Sequence, residues 1–514
     1  MRTAGSDYDA LVTTASTTAA PARGRGALAL AVAIPVLLFL SLVSWAFASP
    51  VGSSPDDDFH LPSIWCGLGE RPGLCAPGTE PETRTVPTPL TDAACFAFKP
   101  EVSGSCWNPS ETGMSDTPRV NVGLYPPLFY GTMSIFASDD IQTSVLIIRI
   151  FNSALTVGVL SAVFFALPRR LRPALVVSAV GSAVPLGMFV AASTNPSAWA
   201  YISAATVWVC LYGAMLTDGR RRWVLAGLAV LGGVMGAGAR ADSAAYALLS
   251  IVLAVILGAR KGRSMWAAAA AALVIAIAAV GFYLSARQGS AVVTGLSLDP
   301  VPLTIDQHIS NFLNIPTLLA GALGGWGLGW LDTYMPSVVS TLSLMAAAGA
   351  IFVGARGMTP RRVIAFVLSL TALYLVPFVL LAQSQAMVGA QVQPRYILPL
   401  LVIFLGVASV GVDIERSWTV SRITFAGVAL SVAMVVALHV GIRRYTTGVD
   451  DPALSLGARA EWWWNGIPSP TLVWAAGSAA LILAFVLLGV VQHRALAAAR
   501  FSTNETSNRD VTPA

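Results

Sequence analysis

The sequence predicts an all-α polytopic membrane protein with about twelve transmembrane helices. Three observations carry this. The 514-residue chain is 55% hydrophobic and only 11% charged, whereas a soluble protein carries about 25% charged residues. Its apolar residues fall in runs of about 20, the length that crosses a bilayer as a helix. Its basic residues gather in every second connection between those runs. Hydrocarbon offers the backbone no hydrogen-bond partners, so each run must be helical.

The first span, 27–48, is a retained anchor rather than a signal peptide, because it is long and no clear small-residue cleavage site precedes Ser53. The second, 141–166, carries Arg149 and Asn152 one helical turn apart. The third and fourth, 174–192 and 199–217, flank Asn195-Pro196. The fifth, 223–239, holds Gly232, Gly233, Gly236 and Gly238, a pattern suited to close helix packing. Arg240-Ala241-Asp242 turns the chain into the sixth, 244–258, and the seventh is 265–285. The eighth and ninth are 336–355 and 363–382. Gln393-Pro394-Arg395-Tyr396 opens the tenth, 396–412, and the last two are 423–442 and 469–491.

Arg169-Arg170-Arg172, Arg220-Arg221-Arg222, Arg260-Lys261-Arg263, Arg356-Arg361-Arg362 and Arg416-Arg422 occupy alternate connections, in register with Arg2, Arg23 and Arg25 before the first span and Arg494, Arg500 and Arg509 after the last. By the positive-inside rule both termini are cytoplasmic. The net charge of +5 is this topological signal, so no nucleic-acid partner is expected. A disordered tail, 1–26, precedes a transmembrane domain, 27–492, and a second cytoplasmic tail is 493–514. Three long segments face outward: 49–140, 286–335 and 443–468. In the second, 315–330 is apolar but broken by five glycines, which reads as a re-entrant or interfacial element. In the third, Trp462-Trp463-Trp464 reads as an aromatic belt at the interface.

Cys66, Cys75, Cys95 and Cys106 all lie in the first external loop. In an oxidising compartment they read as two disulfides, with three pairings open. No CxxC pair occurs, which disfavours zinc. Cys210 lies within a span as a small apolar side chain.

Ser53-Ser54-Pro55-Asp56-Asp57-Asp58-Phe59-His60 follows the first span, so three carboxylates and one of only four histidines sit at a membrane surface. Crowding of the three should raise at least one pKa into the range of a general base, and a solvated acidic turn is the plain alternative. Charged side chains at span ends face a partner, a cavity or a substrate, and arginine binds phosphate bidentately. Arg149, Arg240 and Arg395 are therefore candidate anion ligands, with an internal Arg240–Asp242 ion pair as the competing reading. No P-loop, dinucleotide fingerprint or HExxH motif is present.

An acidic pair followed by His just past the first span resembles the first external loop of the GT-C superfamily, polytopic glycosyltransferases that use polyprenyl-phosphate sugars. Pro55-Asp56-Asp57-x-x-His60, Tyr125-Pro126-Pro127-Leu128, Asn195-Pro196, Arg240-Ala241-Asp242 and Gln393-Pro394-Arg395-Tyr396 together resemble an uncharacterised bacterial membrane-protein family grouped with those enzymes. The familiar acidic pair is Asp-Glu, so the departure here leaves the base open among the aspartates.

The resemblance implies a GT-C-like fold in a bacterial plasma membrane. It also implies inverting transfer of a sugar from a polyprenyl-phosphate donor to a cell-wall glycan or glycolipid acceptor. Asp56 or Asp57 would be the base, supported by Asp58 and His60. Arg395, Arg240 and Arg149 would hold the donor phosphate, and Tyr125, Asn195, Asp242, Gln393 and Tyr396 would line the substrate pocket. A divalent cation on the aspartates is compatible with this chemistry and not required by it. The alternatives are a flippase for a lipid-linked saccharide and a glycan ligase or polymerase.

Overall fold

In a computed structural model, the described residues are 25–260, 262, 265–290, 295–296, 301–411, 417–451, 453–464 and 468–509. The helices that organise the chain are α1 (Arg25–Phe47), α2 (Asp57–Trp65), α3 (Thr88–Thr91), α4 (Pro127–Met133), α5 (Ile141–Ala166), α6 (Arg172–Val180), α7 (Met188–Ala191), α8 (Ser197–Leu216), α9 (Arg220–Ala239), α10 (Ala241–Gly258) and α11 (Met265–Ser285). They continue with α12 (Ile305–Ala320), α13 (Ser337–Gly354), α14 (Pro360–Gln383), α15 (Pro394–Ala408), α16 (Val420–Thr447) and α17 (Pro470–Arg509). The segment read as a tail from 493 therefore continues as helix through Arg509.

Ten of these helices are long and apolar enough to cross a membrane, or eleven if one bent pair counts as a span. The expected twelve are revised at two places. The third expected span is broken: Arg169–Val180 and Ala183–Ala191 meet at 77°. Val184 takes extended angles (φ −95°, ψ 129°) there, as the ring of the following proline favours. The tenth is the 15-residue α15, about 22 Å long at 1.5 Å per residue, against a hydrocarbon core of about 30 Å. The 305–333 region holds no span-length helix. After α12 the chain turns through Gly321–Gly325, with Gly324 at φ +97°, and closes a short bridge between Leu328 and Thr333.

The fold is not wholly α-helical. In the loop after α1, strands β1 (Ala76–Pro77), β2 (Arg84–Pro87) and β3 (Met114–Thr117) form an antiparallel sheet in the order β1-β2-β3, with Ala76 opposite Thr85 and Val86 opposite Ser115. Disulfides join Cys66 to Cys75 and Cys95 to Cys106, and Cys210 is free and buried in α8.

The core centres on α8 and α15, both buried along nearly their whole length. Their contact needs small residues. A Cβ at Gly406 would lie 2.4 Å from the Trp208 ring, and one at Gly232 of α9 would lie 2.2 Å from the Thr206 hydroxyl. Two residues of the tryptophan triplet also belong to the interior. Trp463 and Trp464 are buried, Trp463 packs edge-on to Tyr445, and the Trp464 indole donates to the Phe47 carbonyl at 2.8 Å. They pin the end of α1 instead of forming a belt toward lipid.

Candidate functional site

α2 starts directly beyond the turn that ends α1. Asp56 takes a left-handed conformation (φ 59°) at its N-cap, and its carbonyl accepts from the Phe59 and His60 amides at 2.9 and 2.8 Å. Asp57 and Asp58 fall in the first turn, where acidic side chains complement the helix dipole. The left-handed step at Asp56 and the helical steps after it aim the three carboxylates at three different partners.

Asp56 pairs with Arg395 at the start of α15, whose Nη2 donates to the carboxylate and also to the Tyr396 hydroxyl at 3.2 Å. Burial alone would raise the Asp56 carboxyl, but Arg395, His60 and Arg119 outweigh it and hold the pKa at about 2. Asp57 is fully buried. Its oxygens accept from the Thr194 hydroxyl at 2.6 Å and the Ser54 amide at 3.0 Å. Burial raises its pKa to about 6 against the charge of Arg149 and these donors; Asp58 adds least. Burial, not crowding among the aspartates, is thus the main cause. Asp58 binds Arg119 bidentately at 2.7 and 3.0 Å.

His60 lies in an aromatic nest with Phe59, Tyr125 and Tyr130. Its Nδ1 is 2.8 Å from the Tyr130 hydroxyl, whereas its buried Nε2 has no hydrogen-bond partner. Burial drives its pKa down to about 3, so the ring is neutral near pH 7. Burial likewise pushes the Tyr125 phenol up to about 12.

The three candidate arginines divide by what their nitrogens already hold. Arg240 is committed to Asp242 through two bonds of 2.9 and 2.6 Å and to Ser197 at 3.3 Å. Its guanidinium lies 5.8 Å from the Tyr125 ring centre and 5.1 Å from that of Tyr396. Arg149 is not brought to this group. It donates to the carbonyls of Ala46, Ser49 and Pro50 and to the Ser53 hydroxyl at 2.7–3.1 Å, strapping the orphan carbonyls at the end of α1. Arg395 alone of the three keeps a terminal nitrogen, Nη1, together with Nε, buried and without an acceptor.

Around Arg395 lies a narrow cleft of about 10 Å³ that also touches Pro55, Gly321, Gly327, Gly329 and Gln393. Such a space holds about one water molecule. The glycine-rich turn therefore lines the same cleft as Arg395. Gly329 is at φ +61°, and a Cβ there would meet the Tyr445 hydroxyl at 2.4 Å. A second cavity, of about 530 Å³, lies between α1, α5, α6 and α17 and touches none of the aspartates.

The structure thus links Asp56, His60, Tyr125, Arg240, Asp242, Arg395 and Tyr396 in one chain of side-chain contacts, and Arg395 and Gln393 line the cleft beside it. Asn195 supports it from behind, donating to the Pro55 carbonyl at 2.9 Å. Thr194 and Arg119, the partners of Asp57 and Asp58, were not among the sequence candidates. Thr194 had a signal, since it sits in the polar run Ser193-Thr194-Asn195 beside an apolar stretch; Arg119 had none. Among the described residues no group of three or more His, Cys, Asp or Glu could hold a metal ion.

The family model described as "Predicted membrane protein (DUF2142)" matches residues 39–404, which takes in every residue of this cleft. No curated protein matches the chain.

Proposed function

This chain belongs to the DUF2142 family of predicted membrane proteins, multi-pass by its many apolar helices, and from that premise we propose that it is an inverting glycosyltransferase of the GT-C kind. Its donor is a sugar on a polyprenyl phosphate, and its acceptor is a hydroxyl of a cell-wall glycan or glycolipid. The setting is the outer face of a bacterial plasma membrane, with both termini cytoplasmic.

One observation carries the reading: a buried guanidinium with two unsatisfied nitrogens is tied to a carboxylate at the same cleft. A buried, partly unsatisfied cation is costly unless an anion completes it. A phosphate monoester or diester supplies acceptor oxygens in a geometry that suits arginine. The cleft holds about one water, so donor entry has to part Arg395 from Asp56. Freed of its cation, Asp56 becomes a stronger base at the moment the donor is in place.

In the transfer step the acceptor oxygen attacks the anomeric carbon and its proton passes to Asp56. The bond from that carbon to the phosphate oxygen breaks, and polyprenyl phosphate leaves with the bonding pair, its charge met by Arg395. Asp57 cannot take the proton from an acceptor, because it is enclosed and both its oxygens are engaged. Its role is to hold the turn that presents Asp56. The test is a reconstituted transfer assay with polyprenyl-phosphate sugar donors. Transfer that depends on Asp56 supports the reading. Donor binding or translocation without transfer points to a flippase instead.

A further inference from the structure

The cavity of about 530 Å³ lies apart from the aspartate cleft, and its lining has a polarity. Along α1 it is touched from Leu30 to Leu42, a rise of about 18 Å, close to the depth of one hydrocarbon leaflet, about 15 Å. Its walls are mostly aliphatic and aromatic residues of α1, α5, α6, α7, α17 and the break at Val184, relieved by Thr156, Ser161 and, from α8, Tyr201. Its remaining polar groups are Arg169, Arg172 and Arg494, and no acidic residue lines it.

These arginines share one end of the cavity, because Arg169 and Arg172 follow the end of α5 and Arg494 is the last residue of the apolar span of α17. Arg172 is anchored there. It donates to the carbonyls of Leu167 and Phe165 at 3.2 and 3.4 Å and lies 4.9 Å from the centre of the Phe164 ring. Arg169 and Arg494 are exposed and make no salt bridge among the described residues.

We propose that this cavity is a binding site for one anionic phospholipid, with an acyl chain in the groove and the headgroup phosphate at Arg169 and Arg494. An apolar channel of single-leaflet length with cations only at its mouth matches such a lipid in both shape and charge. A neutral lipid fits the channel but leaves the mouth without a counter-charge. The site is independent of the transferase reading, since it shares no residue with the cleft at Asp56.

Native mass spectrometry of the full-length protein, presented with phosphatidylglycerol or phosphatidylcholine of the same acyl chains, tests this. One phosphatidylglycerol should remain bound, on the order of tenfold more than phosphatidylcholine, from the charge of two arginines near a surface. The double variant Arg169→Gln/Arg494→Gln should reduce phosphatidylglycerol to the phosphatidylcholine level. Both side chains are exposed, so its thermal stability should be unchanged. Ser161→Trp, which fills the groove, should reduce retention of both lipids. Equal retention of the two lipids by the native protein would overturn the proposal. So would retention of phosphatidylglycerol that neither variant alters.

Discussion

Arg395 reaches Asp56 across 339 positions of sequence, and the two partners stand on opposite sides of a boundary. The arginine side chain is 2% exposed and the aspartate 32%. The enclosed cation is fixed while the carboxylate can be approached, which is the arrangement needed if a second anion is to displace the first.

Asp56→Asn should lower sugar transfer by roughly a hundredfold to ten-thousandfold, the usual loss for a positioned base. The variant should still retain donor. Arg395→Ala should retain donor poorly as well as transfer slowly. Transfer rates and donor co-purification separate the two, and full activity in Asp56→Asn would remove the base assignment.

Asp57 and His60 give stability opposite pH trends. Asp57, raised to about 6, keeps its proton in the folded state where an unfolded aspartate with pKa near 3.9 has lost it. Its contribution is present below about pH 4 and is lost as pH rises through about 6. His60, lowered to about 3, contributes above about pH 6.5 and loses that contribution as pH falls. Melting curves at pH 5 and 7 should therefore show Asp57→Asn gaining relative to the native protein at the higher pH. A difference independent of pH would contradict the burial assigned to Asp57.

Mass mapping without reduction should find Cys66 joined to Cys75 and Cys95 joined to Cys106, with Cys210 protected from alkylation until the protein unfolds. Each closed loop is about ten residues, so loss of either bond should cost about 2–3 kcal/mol in the chain-entropy account. Free thiols at all four loop positions in protein from intact membranes would refute the pairing.

Orientation is checked by engineered cysteines. Asp218→Cys should react only from the cytoplasmic side and Glu80→Cys only from outside. The reverse pattern would put the aspartate cleft on the wrong face for an external transferase.

Arg149→Met should destabilise the protein by about 1–3 kcal/mol or more, because it strands buried carbonyls at the end of α1. A thermal shift reads this directly. Loss of donor binding with unchanged stability would return Arg149 to the phosphate.

Much of the cleft was legible because its residues sit at the ends of apolar runs, where a charged or polar side chain is conspicuous. Asp56, Arg240, Asp242, Arg395 and Tyr396 are all of this kind. Which acceptors an arginine meets was not legible: carbonyls at a helix end and a phosphate satisfy Arg149 equally well on paper. The partners of Asp57 and Asp58 depended on the paths of 193–195 and 117–121, which no periodicity reports. Hydropathy over 174–192 is continuous and conceals the break at Val184, although Pro185 marked the place. The tryptophans were read by composition alone, and only packing against Tyr445 and Phe47 assigns Trp463 and Trp464 to the interior.

Arg444 is the point on which the disulfide-bonded loop meets the turn beside the cleft. It donates to the carbonyls of Phe96, Lys99 and Val102 and to the Asp332 carboxylate. One side chain thus fastens the loop closed by Cys95 and Cys106 to that turn. The ribosome delivers Phe96 348 residues before it delivers Arg444. Until Arg444 is made, the loop has its disulfide and the Phe98–Trp330 ring contact but lacks the side chain that ties its carbonyls to Asp332. A nascent chain stopped short of α16 would carry every candidate catalytic residue and still lack the rivet between loop and turn.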